Sequence, residues 1–219
     1  MKLQWLGHSC FLITAQDGTR IITDPFDVKS YAGALNYKSL DGLEADIITI
    51  SHMTHPDHNH FEAIGGRHPI VRKAGEFDVG SVRIAGVNSF HDDAKGSERG
   101  ANVIFILEID DVRVCHLGDL GHVLTEGNVR GMGKVDVLLV PVGGSYTIDS
   151  GQADTVVDMV KPAIAIPMHY KTDKCGFPID GAGPFLADKD NVYQHPSEVT
   201  ITKETLPHET ETWVLEYAK

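Results

Sequence analysis

The sequence predicts an α+β fold in which stacked sheets are flanked by a few helices. Three observations carry this reading. Apolar runs of strand character outnumber segments of helical periodicity, and the two do not alternate regularly, as a doubly wound parallel sheet would require. Several of the runs also stop abruptly at a histidine or an aspartate.

In chain order, residues 10–15 and 20–23 read as a hairpin, because Asp17-Gly18 between them supplies the positive φ angles of a tight turn. Residues 46–51 form a short β-branched run that stops at His52, and a short helix is expected after His58. Residues 81–90 alternate Val82, Ile84 and Val87 and stop at His91, and residues 111–118 lead to Asp119. Residues 102–109 and 135–142 read as buried strands with no ligand-type residue of their own. Ser150 is placed to cap a helix over 151–160, with Ala153, Val156, Val157 and Val160 on one face and Pro162 stopping it. Residues 163–168 form a last strand that ends at His169. No internal repeat or low-complexity segment interrupts the series.

The chain has 219 residues, and no Pro/Gly/Ser-rich linker or change of composition marks a boundary, so residues 1–219 are read as one domain. A chain of this size buries about 70% of the surface it exposes when unfolded, so any metal serves chemistry more than folding. With 31 Asp and Glu against 19 Lys and Arg the net charge is −12, which argues against a general nucleic-acid partner, since such affinity comes from cations neutralising phosphates. No stretch is apolar enough for a membrane span or a signal-peptide core. Three widely spaced cysteines, Cys10, Cys115 and Cys175, indicate neither a disulfide framework nor a zinc ribbon, so a reducing cytoplasm is the expected location. The expected partner is a small-molecule substrate; a homo-oligomer stays open.

Twelve histidines are many for this length, and His52, His55, His58 and His60 fall within nine residues, with Asp57 among them. Imidazole and carboxylate suit borderline divalent ions such as Zn²⁺, and a segment leaving a strand can aim several of them at one point. The bland alternative is a solvated loop with Asp57 as a helix cap. It weakens once His91, Asp119 and His169 are added, each at the end of a separate apolar run.

The order His52-x-x-His55-x-Asp57-His58, then His91, then Gly118-Asp119, then His169 resembles the metallo-β-lactamase superfamily. The opening Trp5-Leu-Gly-His-Ser-Cys-Phe-Leu-Ile13, Thr23-Asp-Pro25, Ser89-Phe-His-Asp-Asp93 with Arg99-Gly-x-Asn102, and Cys115-His-Leu-Gly-Asp-Leu-Gly-His122 resemble its branch of ascorbate-6-phosphate-lactonase-like hydrolases. The resemblance implies a four-layer αββα sandwich with two metals at one edge, between the sheets. It further implies that His52, His55 and His91 hold the first metal, that Asp57, His58 and His169 hold the second, and that Asp119 bridges them. Zinc leads the candidate ions, and manganese, iron and nickel are admitted by the same donors.

One feature departs from the family. Two residues, Met53 and Thr54, separate the first two histidines where the family has one. Counted from Asp57-His58, His55 is in register and Met53 stands where the first histidine belongs; counted from the strand, His52 is right and Thr54 replaces the second. A one-residue bulge reconciles the two, His60 is a substitute donor, and a weakened or single-metal site is the alternative.

Other residues carry two readings each. His8, on the first hairpin, is a partner orienting a ligand or a satisfied buried histidine. Asp24 accepts the ring N–H of a metal-bound histidine or only starts the turn at Pro25. His116 and His122 are read as structural, and His68, His195 and His208 as ordinary loop residues. Lys95 and Arg99 form an anion clamp or a solvated pair. Tyr170 and Lys171 meet substrate or belong to a mobile surface segment over 172–184. The loop 144–148 lines a pocket or an interface.

No Gly-x-Ser-x-Gly elbow is present, so metal-activated water is the expected nucleophile. Two adjacent cations lower the pKa of a shared water from about 15.7 towards about 7. The expected activity is hydrolysis of an ester-like bond by a metal-bridged hydroxide, in a lactone, a phosphodiester or a similar small anionic substrate, with Asp57 and Asp119 as the carboxylates on which turnover depends. The alternatives are a metal-binding or redox-sensing protein without turnover and, disfavoured by the charge, a nuclease.

Overall fold

The computed structural model describes residues 1–66 and 68–218. In chain order the strands and helices are β1 (Lys2–Gly7), β2 (Cys10–Thr14), β3 (Arg20–Thr23), β4 (Ile47–Thr49), β5 (Ile70–Val71), β6 (Gly75–Val79), β7 (Val82–Phe90), β8 (Ala101–Ile109), β9 (Val112–His116), α1 (Glu126–Met132), β10 (Val137–Pro141), α2 (Ser150–Val160), β11 (Ile164–Met168), α3 (Gly183–Leu186), β12 (Val192–His195), β13 (Glu198–Thr200) and β14 (Glu211–Leu215). They build two mixed sheets, ordered β13-β1-β2-β3-β4-β5 and β12-β14-β11-β10-β9-β8-β7-β6. This is the α+β sandwich the sequence predicts.

The sheets meet face to face. Ile21 and Ile47 join Trp5, Phe11 and Ile13 in a core shared with Phe105, Leu107, Leu138 and Ile166 of the second sheet. The next residues along β3 and β4, Ile22 and Ile48, point the other way into a second cluster with Phe26, Leu35 and Tyr37, because successive strand side chains alternate faces. The segment over that outer face contains the 3₁₀ turn Tyr31–Gly33. In the second sheet β10 and β11 are parallel neighbours and every residue of both is buried, which explains their unbroken apolar runs.

Local expectations hold with informative exceptions. The Asp17-Gly18 hairpin forms with Gly18 alone at positive φ (+93°), while Asp17 accepts the Thr19 N–H through its side chain at 2.8 Å. Helix α2 is capped by Asp149 and not by Ser150: the Asp149 carboxylate accepts from the Gln152 N–H at 2.8 Å, and the Gln152 amide oxygen accepts from the Asp149 N–H at 3.1 Å. After His58 there is only a 3₁₀ turn, Phe61–Ala63. Helix α1 escapes sequence reading because it has seven residues, too few to display a period. No helix among the described residues is long and apolar enough to cross a membrane.

Strand direction gathers the ligand-type residues. β3 and β4 run parallel, so Asp24 and the 52–58 segment leave the first sheet at one edge. β7 and β9 are each antiparallel to β8 and therefore parallel to one another, and β9, β10 and β11 run parallel. His91, Asp119 and His169 thus emerge together at one edge of the second sheet.

Candidate metal centre

Each ligand-type side chain is held by a specific neighbour. His52 donates from Nδ1 to the Ala101 carbonyl at 2.8 Å, and His91 donates from Nδ1 to the Asp119 carbonyl at 2.6 Å. His58 places Nδ1 3.0 Å from Asp24 Oδ2. In all three the Nδ1–H is directed outward and Nε2 faces the centre, the orientation a metal-binding histidine needs. The Asp119 N–H donates to Asn102 Oδ1 at 2.9 Å, and the Asn102 amide in turn donates to Ser89 Oγ and the Leu117 carbonyl. Gly118, at φ +59°, lets this turn pass Ser51; a Cβ there would lie 2.3 Å from the Ser51 side chain.

Asp24 is the hub beneath. Besides His58 it accepts the Ser51 N–H at 2.7 Å and the Ser51 hydroxyl at 2.5 Å, and it is fully buried. It thus contacts a ligand-type histidine as well as standing at the turn before Pro25. His116, also buried, has Nε2 2.8 Å from the Ser9 carbonyl, and His122 Nε2 accepts the Phe90 N–H at 3.3 Å, so both serve the scaffold.

Two groups of donors result, each with its ligand atoms within 4.8 Å of one another: His52, His55, His91 and Asp119, and beside them His8, Asp57, His58 and His169. Both His52 and His55 take part. The extra residue is absorbed by a turn beyond β4 and not by a strand bulge, with Met53 and Thr54 on its exposed side. His60 lies in neither group. Thr54 has an unforeseen contact: its hydroxyl sits 2.6 Å from His52 Nε2, the nitrogen that faces the centre.

The donors face a shared interior more than one another. His58 Nε2 lies 2.8 Å from Asp119 Oδ1, and His169 Nε2 is 3.4 Å from the same oxygen. His8 Nε2 is 3.4 Å from Asp57 Oδ2. Yet His8 Nε2, His58 Nε2 and Asp119 Oδ1 are buried without an aligned hydrogen-bond partner. Polar atoms this close but misaligned are what donors converging on a common cation present. The charges agree. Burial opposes a charge on His58, but the Asp119 and Asp57 carboxylates and the bond to Asp24 raise its pKa well above the ordinary value. Burial likewise opposes ionisation of Asp119, but His58, His91 and His169 hold its pKa well below the usual carboxylate range. Burial and the adjacent His8 ring lower the pKa of His169, and burial lowers those of His55 and His91, which favours the neutral rings a metal needs. Three buried carboxylates in one edge require positive charge, and imidazole and carboxylate donors fit a divalent ion there.

A cavity of about 280 Å³ opens onto both groups, with His55, Asp57, His91, Asp119 and His169 at its floor and Tyr31, Arg99, Tyr146 and Phe177 as its walls. Phe177 packs edge-on against Tyr31 and Tyr146, with ring centroids 5.3 and 6.2 Å away. The Tyr31 hydroxyl donates to Asp57 Oδ1 at 3.3 Å, and partial burial together with that carboxylate pushes its pKa up, so the phenol stays a donor. Arg99 reaches the Ser145 carbonyl at 3.4 Å. Tyr146 brings the loop 144–148 to the cavity wall.

Two expected contacts do not form. Lys95 is exposed and is absent from the cavity wall, so the anion clamp reduces to Arg99. Tyr170 turns into the core, 7% exposed, with its ring 5.2 Å from Trp5, because His169 adopts a left-handed backbone (φ +51°) that sends the next side chain away from the cavity. Lys171 bonds the Phe177 carbonyl and steadies that wall. Tyr31 and Phe177 had no sequence signal: neither sits in a motif, and the segment 172–184 reads as surface although Cys175 and Ile179 within it are buried.

Residues 2–169 match the family model described as the beta-lactamase superfamily domain. The chain is similar to a UPF0173 protein of Pyrococcus abyssi, 32% identical over 189 residues that cover 78% of this chain and 84% of that one. It is also similar to a UPF0173 metal-dependent hydrolase of Archaeoglobus fulgidus, 30% identical over 201 residues with the same coverage. Among solved structures it resembles a Thermotoga maritima protein, described as a candidate Zn-dependent hydrolase of the metallo-β-lactamase superfamily, at 35% identity and a TM-score of 0.82 over 99% of both chains.

Proposed function

The chain belongs to the metallo-β-lactamase superfamily and is a metal-dependent hydrolase, and on that premise we propose that it uses two divalent cations to hydrolyse an ester-like bond in a small anionic substrate. His52, His55 and His91 would hold the first ion, Asp57, His58 and His169 the second, with Asp119 between them. The observation that carries this is the Asp119 carboxylate, whose Oδ1 faces His58 and His169 while its Oδ2 lies 3.7 Å from His91 Nε2. Zinc is the first candidate, and manganese, iron or nickel would be held by the same donors.

When bound, such a pair of ions supplies a water of lowered pKa and polarises the scissile group. The chain's own residues do the rest. Arg99, half-exposed on the cavity wall, would bind the substrate's anionic group, and the aromatic wall of Tyr31, Tyr146 and Phe177 would exclude water around its body. The Tyr31 hydroxyl would hold Asp57 in place through its bond to Oδ1. A lactone or a phosphodiester meets these requirements.

The test is metal content per chain in protein purified without chelator, followed by a screen of esters, lactones and phosphodiesters. About two ions per chain, with turnover that chelation abolishes and metal restores, is expected; protein that takes up no ion on reconstitution overturns the proposal. Arg99→Ala should raise KM for anionic substrates about 10- to 100-fold with kcat little changed, the pattern of lost uniform binding; an unchanged KM would remove Arg99 from the site.

A second reading, metal binding without turnover, is favoured by Thr54, whose hydroxyl already engages the His52 nitrogen the first ion needs. Thr54→Val should then tighten the weaker-bound ion about 10-fold, since one hydrogen bond of about 1–1.5 kcal/mol no longer competes. Metal titration of the variant reads this directly, and an unchanged affinity would leave Thr54 without influence on the site.

A further inference from the structure

We infer that His8 is a direct ligand of the second ion, which makes that position an enclosed site and leaves the first as the open, exchangeable one. The inference rests on the two-ion reading above and adds a donor to it.

His8 is completely buried, yet neither ring nitrogen has a hydrogen-bond partner. Leaving two buried polar atoms unsatisfied costs about 1–3 kcal/mol each, so such a residue needs a ligand to explain it. An orienting role would require a well-formed bond from His8 to another donor's far nitrogen or carboxylate; its one approach, Nε2 to Asp57 Oδ2 at 3.4 Å, is long and unaligned, although it helps keep that carboxylate ionised. Instead the ring lies 4.0 Å from that of His169 and 5.3 Å from that of His58, so that one atom from each of His8, Asp57, His58 and His169 falls within 4.8 Å of all the others.

The backbone is built to hold it there. His8 takes a left-handed conformation (φ +51°) after Gly7 (φ +123°), where a Cβ on Gly7 would stand 2.5 Å from the Tyr37 ring. A non-glycine residue at positive φ in a tight turn is strained and persists only where its surroundings impose it. Here the His8 carbonyl accepts both the Trp5 indole N–H at 3.0 Å and the His169 N–H at 3.1 Å, tying the hairpin tip of the first sheet to the end of β11 in the second. That link holds the His8 and His169 rings side by side, with centroids 4.0 Å apart, where both would reach the same ion.

The two positions therefore differ. The second draws on three imidazoles, the Asp57 carboxylate and Asp119 Oδ1, more protein donors than the four of a closed tetrahedral zinc site. The first has three imidazoles and one carboxylate, and one of those imidazoles is engaged by Thr54. The second ion should be retained and the first lost under mild chelation.

The experiment loads the full chain with Co²⁺ and dialyses it against graded chelator. Wild-type protein should release its ions in two separate steps. His8→Ala should weaken the tighter step at least about 100-fold, since even outer partners of a ligand are worth about 10–100-fold, and should alter the visible absorption of the remaining Co²⁺. Affinity and spectrum both equal to wild type would overturn the role of His8 while leaving the two-ion reading intact. Wild-type protein that binds no Co²⁺ would overturn both. If His8→Ala does not fold, anomalous diffraction from Co²⁺-loaded wild-type crystals decides: Nε2 at about 2.0–2.2 Å from the ion sustains the inference, and Nε2 bonded to Asp57 without metal contact overturns it.

Discussion

Asp119→Ala should leave the chain with no more than one firmly held ion and lower hydrolysis by about 10²–10³-fold. Removing one preorganised electrostatic group from a reacting centre costs about 2.7–4 kcal/mol, or about 10²–10³-fold in rate. The fold should survive, because the contacts that shape this turn use the Asp119 backbone: its N–H donates to Asn102 and its carbonyl accepts from His91. Only the carboxylate between His58, His169 and His91 is lost. Asp119→Asn separates charge from shape, since it keeps the side-chain outline without the negative charge. Metal content by mass spectrometry and turnover at saturating substrate would be measured on both. Two retained ions and wild-type turnover in Asp119→Ala would show that this carboxylate joins nothing.

The second large effect is expected at Asp24, which should not touch substrate at all. Asp24→Ala leaves the Ser51 N–H, the Ser51 hydroxyl and His58 Nδ1 without their acceptor in a fully buried position. At about 1–3 kcal/mol for each orphaned group, the loss is about 3 kcal/mol or more. For a domain of this size that lowers the melting temperature by about 6–12 °C. Metal affinity should fall about 10- to 100-fold as well, because His58 loses the partner that sets its tautomer and direction. Asp24→Asn supplies one acceptor oxygen in place of two and should recover part of the stability but little of the affinity. Thermal unfolding with and without metal, together with chelator competition, reads the two quantities separately. A variant that loses stability but binds metal as wild type would reduce Asp24 to the turn before Pro25.

Much of this site is legible along the chain because its signals are local. A strand ends where its apolar run ends, and an imidazole or carboxylate at that point is visible whatever the rest of the chain does. Hence His52, His91, Asp119 and His169 could each be marked singly. The two residues between His52 and His55 could be seen but not interpreted, since whether a turn absorbs an extra residue depends on what packs around it. Thr54 shows the same limit, because a hydroxyl against a ring nitrogen two residues back is a matter of torsion angles.

By itself, then, the sequence determined the α+β class, the run of strands, and the donor types at one edge, because periodicity, turn chemistry and ligand chemistry act over a few residues. Tertiary structure alone decided that His8 stands with Asp57, His58 and His169 in one group of donors. His8 and His169 are far apart in the chain and meet through one carbonyl linking two sheets, while Tyr31 and Phe177 meet across the cavity from separate loops. It also sent Tyr170 into the core and left Lys95 in solvent, since the backbone angle at His169 and the exposure of the loop around Lys95 follow from packing between distant segments. Contacts across long sequence separations leave no periodic trace in the chain, and only the closed sandwich brings them within bonding distance.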